Sequence, residues 1–270
     1  MSDERIYVIT GANKGIGLEI CRQIARQQPQ AVVLLTARSE LRGRDAYKAL
    51  QSEGLSNIVF QQLDVTDVNS VESAKAIVEV RYGKLDVLVH NAAYAARGPQ
   101  LDEQVAHKTL NVNYFGVKRV GETFLPLMHA GSRMVIVSSG MGDLVSEYSE
   151  DKRRTLSSPN LNVDELSSLM QAFISAAAQD RVTKEGWRTN AYAVSKAGVN
   201  ALTRIWARDL ESRGIMVNAC SPGWVRTDMG GPNATLDVSE GAETPVWLAT
   251  EPEEEIGASG GYYSEKRRVE

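Results

Sequence analysis

Ile6-Tyr7-Val8-Ile9-Thr10-Gly11-Ala12-Asn13-Lys14-Gly15-Ile16-Gly17 decides the fold of this chain. Four apolar residues predict a buried strand, and an amphipathic pattern over Gly15 to Gln27 predicts the helix after it. Glycines at 11, 15 and 17 sit in the turn between them, where they permit a tight bend and close backbone approach. A phosphate would then lie at the helix N-terminus, against free N–H groups. The spacing G-x-x-x-G-x-G differs from the commoner dinucleotide pattern G-x-G-x-x-G, and glycine-rich turns also arise without a ligand. The position after a strand and before a helix is what gives this turn its meaning.

The rhythm continues outward. Ile6 to Thr10, Ala31 to Ala37, Ile58 to Leu63, Val87 to Asn91, Met134 to Ser138 and Met216 to Cys220 are short Val/Ile/Leu-rich runs, as strands buried on both faces require. Helical patterns follow at Gly15 to Gln27, Arg42 to Glu53, Val68 to Tyr82, Leu101 to Met128 and Ala191 to Ser212. This alternation predicts an α/β fold, a Rossmann-type doubly wound parallel sheet. With 270 residues and no internal repeat, we expect a single domain over 1–270. An insertion at about 142–186 breaks the pattern. It holds a charge-dense stretch from Glu147 to Arg154, then Asn162-x-x-Glu165, which predicts a reciprocally capped helix start. Leu166, Leu169, Met170, Phe173, Ile174 and Ala177 make one apolar face that should pack on the body; a lid is the sharper alternative.

Charge excludes several function classes. Thirty basic and 34 acidic residues are interspersed and sum to −4, which leaves no footprint for nucleic acid and no polybasic membrane patch. The only two cysteines, Cys21 and Cys220, lie far apart in apolar contexts and are expected to be free buried thiols. No targeting segment or membrane-length apolar run is visible, so a cytoplasmic location is the expectation.

The end of the second strand selects the cofactor. A ribose 2′-hydroxyl calls for a carboxylate there. The chain instead reads Thr36-Ala37-Arg38, with Lys14 inside the glycine turn. Two converging cations suit a 2′-phosphate, so NADP(H) is expected over NAD. Asp64, after the third strand, can accept from an adenine amino group, and Asn91 ends the fourth strand near the nicotinamide half. Both also serve as ordinary turn residues.

Tyr192-Ala193-Val194-Ser195-Lys196 places a phenol and an ammonium on one helix face. A free tyrosine titrates near 10, and a neighbouring cation is expected to lower that value toward the range of acid–base work. The same spacing is also common on plain helix surfaces.

Together these residues resemble the short-chain dehydrogenase/reductase family. The likeness rests on Thr10-Gly-x-x-x-Gly-Ile-Gly17, Asn91-Ala92, Asn113-Tyr-Phe-Gly116, Val137-Ser-Ser139, Tyr192-x-x-x-Lys196 and Ser221-Pro-Gly-Trp-Val-Arg-Thr-Asp228, in family order over nearly the whole chain. Within it, Lys184-Glu-Gly-Trp187, Pro222 to Met229 and Glu240 to Pro245 are similar to the cytosolic NADPH-dependent carbonyl reductases. The resemblance implies an oxidoreductase that reduces the carbonyl of aldehydes, ketones or quinones, with hydride leaving the B face of the nicotinamide. It implies Tyr192 as general acid, Lys196 as its tuner and ribose ligand, Ser139 as hydrogen-bond donor to the substrate oxygen, and Asn113 as holder of a relay water. Gly11, Asn13, Lys14, Gly15, Ile16, Gly17, Arg38, Asp64, Val65, Asn91, Pro222, Gly223, Val225 and Thr227 would contact the cofactor. Met141 and Trp224 would line the substrate pocket, and no metal is expected.

Two departures stand out. His90-Asn91-Ala92-Ala93 replaces the family's Asn-Asn-Ala-Gly, with His90 expected to be a satisfied interior polar group and Ala93 to crowd the cofactor. The long gap between Ser139 and Tyr192 holds the insertion, which in the resembling subgroup covers the oligomerising helices and so implies a monomer. A dedicated steroid, prostaglandin or alkaloid ketone reductase and a non-catalytic NADP-binding regulator are the alternatives.

Overall fold

A computed structural model describes residues 4–98 and 101–269. Eight strands form one sheet in the order β3-β2-β1-β4-β5-β6-β7-β8. They are β1 (Ile6–Ile9), β2 (Val32–Ala37), β3 (Ile58–Gln62), β4 (Leu85–His90), β5 (Met128–Val137), β6 (Met216–Ser221), β7 (Tyr262–Ser264) and β8 (Arg267–Arg268). All neighbours are parallel except β7 and β8. The long helices are α1 (Gly15–Gln27), α2 (Glu40–Ser52), α3 (Val68–Tyr82), α4 (Glu103–Leu110), α5 (Gly116–Phe124), α6 (Glu150–Leu156), α7 (Val163–Ala178), α8 (Ala191–Leu210) and α9 (Val238–Thr250), with a last turn α10 (Glu253–Ile256). Chain order reverses between β1 and β4, so the loops leaving their C-terminal ends diverge and open a crevice there.

Both sheet faces are covered, which is why the strands read as unbroken apolar runs. Ile20, Ile24, Leu50 and Val246 pack with Tyr7, Val33 and Val135 on one face. Val71, Tyr114, Phe124, Val199 and Leu202 pack with Val8, Leu88 and Ile136 on the other.

The stretch from Leu101 to Met128 is not one helix. α4 ends at Leu110, a π-helical turn spans Asn111–Phe115, and α5 stops at Phe124. The wider turn inserts a residue without ending the apolar face, so the hydrophobic pattern runs through it unmarked. Met128 already begins β5. α2 starts two residues before the expected Arg42 because Ser39 accepts from the Arg42 N–H and caps it.

The insertion follows its pattern. Asn162 and Glu165 form the capping box of α7, and Leu166, Met170, Phe173, Ile174 and Ala177 are buried. α7 packs on α4 and α8. A Cβ on Gly198 of α8 would come within 2.7 Å of the Met170 sulfur, so the two helices touch nearly backbone to side chain. With this face buried, α7 buttresses α8.

Candidate active site

The glycine turn is built for close approach. Gly11 and Gly15 hold positive φ of 65° and 56°. A Cβ on Gly11 would lie 2.8 Å from Ala92 Cα, and one on Gly17 only 2.3 Å from Asn91 Nδ2. Asn91 Nδ2 donates to the Thr10 and Gly11 carbonyls at 3.0 and 3.1 Å, which ties β4 to the turn. α1 begins without a side-chain cap, whereas Ser39, Asp67, Asp102, Asn162 and Asn190 cap α2, α3, α4, α7 and α8. Its first N–H groups are therefore open to an anion at the turn. Asn13 in this turn and Ile16 at the start of α1 lie half-buried.

A second cleft of about 360 Å³ opens at the ends of β2 and β3, lined by Arg38, Gln61, Gln62, Asp64, Asn69 and Ser70 among others. Arg38 is exposed there. Asp64 accepts from Thr66 N and Thr66 Oγ1 at 2.9 and 2.7 Å and so makes the turn as well as facing the cleft. Gln62 and Ser70 at this rim carried no motif signal. The set fits the adenosine end of a dinucleotide bearing an extra phosphate: open helix amides, a glycine cradle that a Cβ would fill, and a guanidinium at the rim.

At three expected cofactor positions the side chain is already engaged elsewhere. Lys14 does not stand free beside Arg38. Its ammonium is 2.5 Å from Asp228, and this pairing holds the Asp228 carboxyl below its usual range. Val65 and Val225 turn their side chains inward, Val65 against Gly116 of α5 and Val225 against Gly241 of α9. Only their backbones can face the crevice. Pro222, Gly223 and Thr227 lie in the strap after β6. Gly223 has φ 79°, and the Thr227 methyl would stand 3.4 Å from a Cβ on Gly15, so the strap lies over the glycine turn.

Of the four residues expected to form a catalytic tetrad, Ser139, Tyr192 and Lys196 meet where β5 approaches α8, and Asn113 reaches α8 through Ser195. Ser139, just past β5, sets its hydroxyl beside the Tyr192 phenol, whose pKa it lowers, and accepts from Met141 N at 3.2 Å. Lys196 is buried, donates to Val137 O at 2.7 Å, and its ammonium lies 5.5 Å from the Tyr192 ring centre. Asn113, in the π-helical turn, is buried and donates to Tyr94 O and Ser195 Oγ, both at 2.9 Å. The expected lowering of Tyr192 by its neighbour is reversed in this state. Burial raises the phenol, and the neighbouring Ser139 hydroxyl only partly opposes it. Burial also brings Lys196 down to about 8, with the nearby Cys220 opposing, so the ammonium is itself weakly held. Helical spacing cannot show this, because desolvation is a tertiary property.

A cleft of about 700 Å³ lies along the strap, lined by Arg97, Arg226, Thr227, Asp228, Met229, Gly231 and Pro232. Met141 and Trp224 are not among these lining residues; both are exposed, and the Trp224 indole donates to Gly230 O at 2.9 Å. Ser139 and Tyr192 do not line this cleft either, so Arg97 and Met229, which carried no motif signal, wall a groove beside the reacting groups. His90 is buried, yet its Nε2 has no hydrogen-bond partner among the described residues, which corrects the expectation of a satisfied group. Burial drives its pKa down to about 3, so the ring is neutral and poorly suited to proton transfer. No group of metal-ligating side chains occurs among the described residues.

The short chain dehydrogenase family model matches residues 5–149, and one described as enoyl-(acyl carrier protein) reductase matches 169–255. This chain belongs to the short-chain dehydrogenase/reductase family. It is 43% identical to Carbonyl reductase [NADPH] 1 of Bos taurus over 100% of this chain and 99% of that protein. Identity to the Homo sapiens protein of the same name is 42%, over 97% and 96%. Among solved structures, salutaridine reductase from Papaver somniferum matches with a TM-score of 0.88 and 30% identity, over 96% of this chain and 99% of that one. Menthone neomenthol reductase from Mentha piperita matches at 0.81, again 30% identical, over 97% and 98%.

Proposed function

We propose that this chain is an NADPH-dependent carbonyl reductase acting on aldehydes, ketones or quinones. The observation that carries the reading is the hydroxyl pair Ser139–Tyr192, with the Lys196 ammonium beneath the phenol, at the C-terminal end of the sheet. Full-length likeness to carbonyl reductases that use NADPH supports the cofactor and the substrate class. Arg38 at the rim of the adenosine cleft is the residue we assign to the 2′-phosphate.

NADPH, when bound, supplies the hydride. The chain's own residues do the rest. Tyr192 Oη donates its proton to the carbonyl oxygen as charge develops there. Ser139 Oγ hydrogen-bonds the same oxygen, and such a fixed donor is worth more in a dry site than in water. Lys196 holds positive charge beside the phenol and favours the phenolate that remains. Asn113 holds the water through which Lys196 exchanges protons with solvent. The raised phenol is suited to reduction, since Tyr192 starts protonated at neutral pH.

The single domain, the monomeric state and a cytoplasmic location belong to the same proposal. They rest on one continuous sheet, on the insertion packed over α4 and α8, and on the resemblance to cytosolic carbonyl reductases. Sedimentation as a stable tetramer would overturn the second of these.

NADPH consumption followed across a panel of carbonyl compounds tests the reading. Turnover with several aldehydes, ketones or quinones is expected; no turnover with any would count decisively against it. A second reading, a reductase dedicated to one steroid, prostaglandin or alkaloid ketone, is favoured by the backbone likeness to salutaridine reductase and menthone neomenthol reductase, each named for a single compound or pair. It predicts turnover confined to one member of the panel.

A further inference from the structure

Ser195 sits between Tyr192 and Lys196 in sequence and carries no role in the reading above. It is wholly buried. Its hydroxyl donates to Tyr192 O at 2.7 Å, within the first turn of α8, and accepts from Asn113 Nδ2 at 2.9 Å, 82 residues away. Asn113 in turn clasps the loop after β4 from both sides: Tyr94 N donates to Oδ1 at 2.7 Å, and Nδ2 donates to Tyr94 O at 2.9 Å. One chain of hydrogen bonds, buried at its Asn113–Ser195 link, therefore runs from the Tyr94 backbone through Asn113 and Ser195 to the backbone of Tyr192. Both N–H donors of Asn113 are used along it, and Oδ1 accepts once and keeps a second acceptor site. The π-helical turn needs such an anchor, because it is the one irregular segment between α4 and α5 and it carries Asn113.

We propose that Ser195 is a positioning residue for the reduction: its hydroxyl locks Asn113 and the first turn of the catalytic helix into one register. The inference rests on the roles assigned above to Asn113 and Tyr192. The Ser195 hydroxyl is taken up by Asn113 and the Tyr192 carbonyl, so it acts through them. Without its oxygen, one Asn113 N–H is left buried and unpaired, so the amide must rotate or the π-helical turn must move. Either motion uncouples Asn113 from Tyr192, and misplacements on the order of 1 Å in a reacting constellation cost up to roughly a hundredfold in rate.

The test compares four variants of the full chain with wild type, using saturating NADPH and a turned-over ketone. Ser195→Ala is expected to lower kcat by about ten- to a hundredfold, with KM for the ketone and Kd for NADPH within about twofold. Ser195→Thr, which keeps a hydroxyl, should restore most of the rate. Thr203→Val is the control for a lost buried hydroxyl: Thr203 lies in the same helix, is equally buried, and donates only to Val199 O at 2.8 Å. It should keep wild-type kcat whatever it does to the melting temperature. Tyr192→Phe separates the levels of failure. If it is inactive while Ser195→Ala behaves like Thr203→Val, the inference on Ser195 is wrong and the site reading stands. If Tyr192→Phe keeps turnover, the site reading fails and this inference with it.

Discussion

Gly17→Ala is the substitution whose consequence follows most directly from the geometry. The added methyl would lie 2.3 Å from Asn91 Nδ2, 2.7 Å from Gly11 O and 3.0 Å from Ala12 Cα. Two of the three are backbone atoms in a turn already folded tightly, so the Asn91 side chain is what must yield. It can do so only by giving up its bonds to the Thr10 and Gly11 carbonyls. Two lost hydrogen bonds at about 1 kcal/mol each, plus residual crowding of about 1 kcal/mol, put the cost at about 2–4 kcal/mol. For a chain of this size that is a fall in Tm of about 5–12 °C. Because the displaced group joins β4 to the start of α1, NADPH affinity should fall by more than tenfold as well. Thermal unfolding followed by circular dichroism and titration of NADPH by calorimetry read the two effects. Gly54→Ala is the comparison, since Gly54 has φ 85° and open space around it. It should cost only about 1 kcal/mol of backbone strain and leave cofactor binding unchanged. A Gly17→Ala protein that melts with wild type and binds NADPH equally well would refute the argument.

Arg38→Asp should weaken NADPH by about ten- to a hundredfold, the worth of one charge-assisted contact, and shift preference toward NADH; a retained preference in steady-state kinetics would transfer the 2′-phosphate to another residue. Turnover should decline as pH rises through about 8, where the buried Lys196 loses its charge, and a flat rate from pH 7 to 10 would contradict that. The stability sign is opposite. Between about 8 and the ordinary lysine value, the unfolded chain holds a proton that the folded one has released. Wild type should therefore gain up to about 3 kcal/mol relative to Lys196→Met across that window, measured by urea unfolding at several pH values.

Most of the sheet was legible because a strand buried on both faces must be apolar at every position, and Ile6 to Ile9 or Val87 to Val89 admit no other reading. β7 and β8 were not, since three- and two-residue strands are too short to show a pattern. α9 was missed as well; Pro245 inside it reads as a breaker, although the helix carries Asp237 and Glu240 as a capping box. The four tetrad positions were legible as motifs. Their electrostatics were not, because the raised phenol of Tyr192 and the lowered pKa of Lys196 come from residues folded over them. Lys14 was read as a free cation for the same reason: its partner Asp228 is 214 residues away. Ser195 lay in plain view inside the most informative motif, but its meaning depends on Asn113 arriving beside it.

The central claim is that Tyr192 protonates a carbonyl oxygen reduced at the expense of NADPH. Measuring the oxidation of NADPH together with alcohol formation, for wild type and for Tyr192→Phe, tests it most directly. The account predicts matched consumption and product for wild type, and at least a hundredfold lower turnover in the variant with NADPH affinity intact. Equal turnover in the two proteins would contradict it.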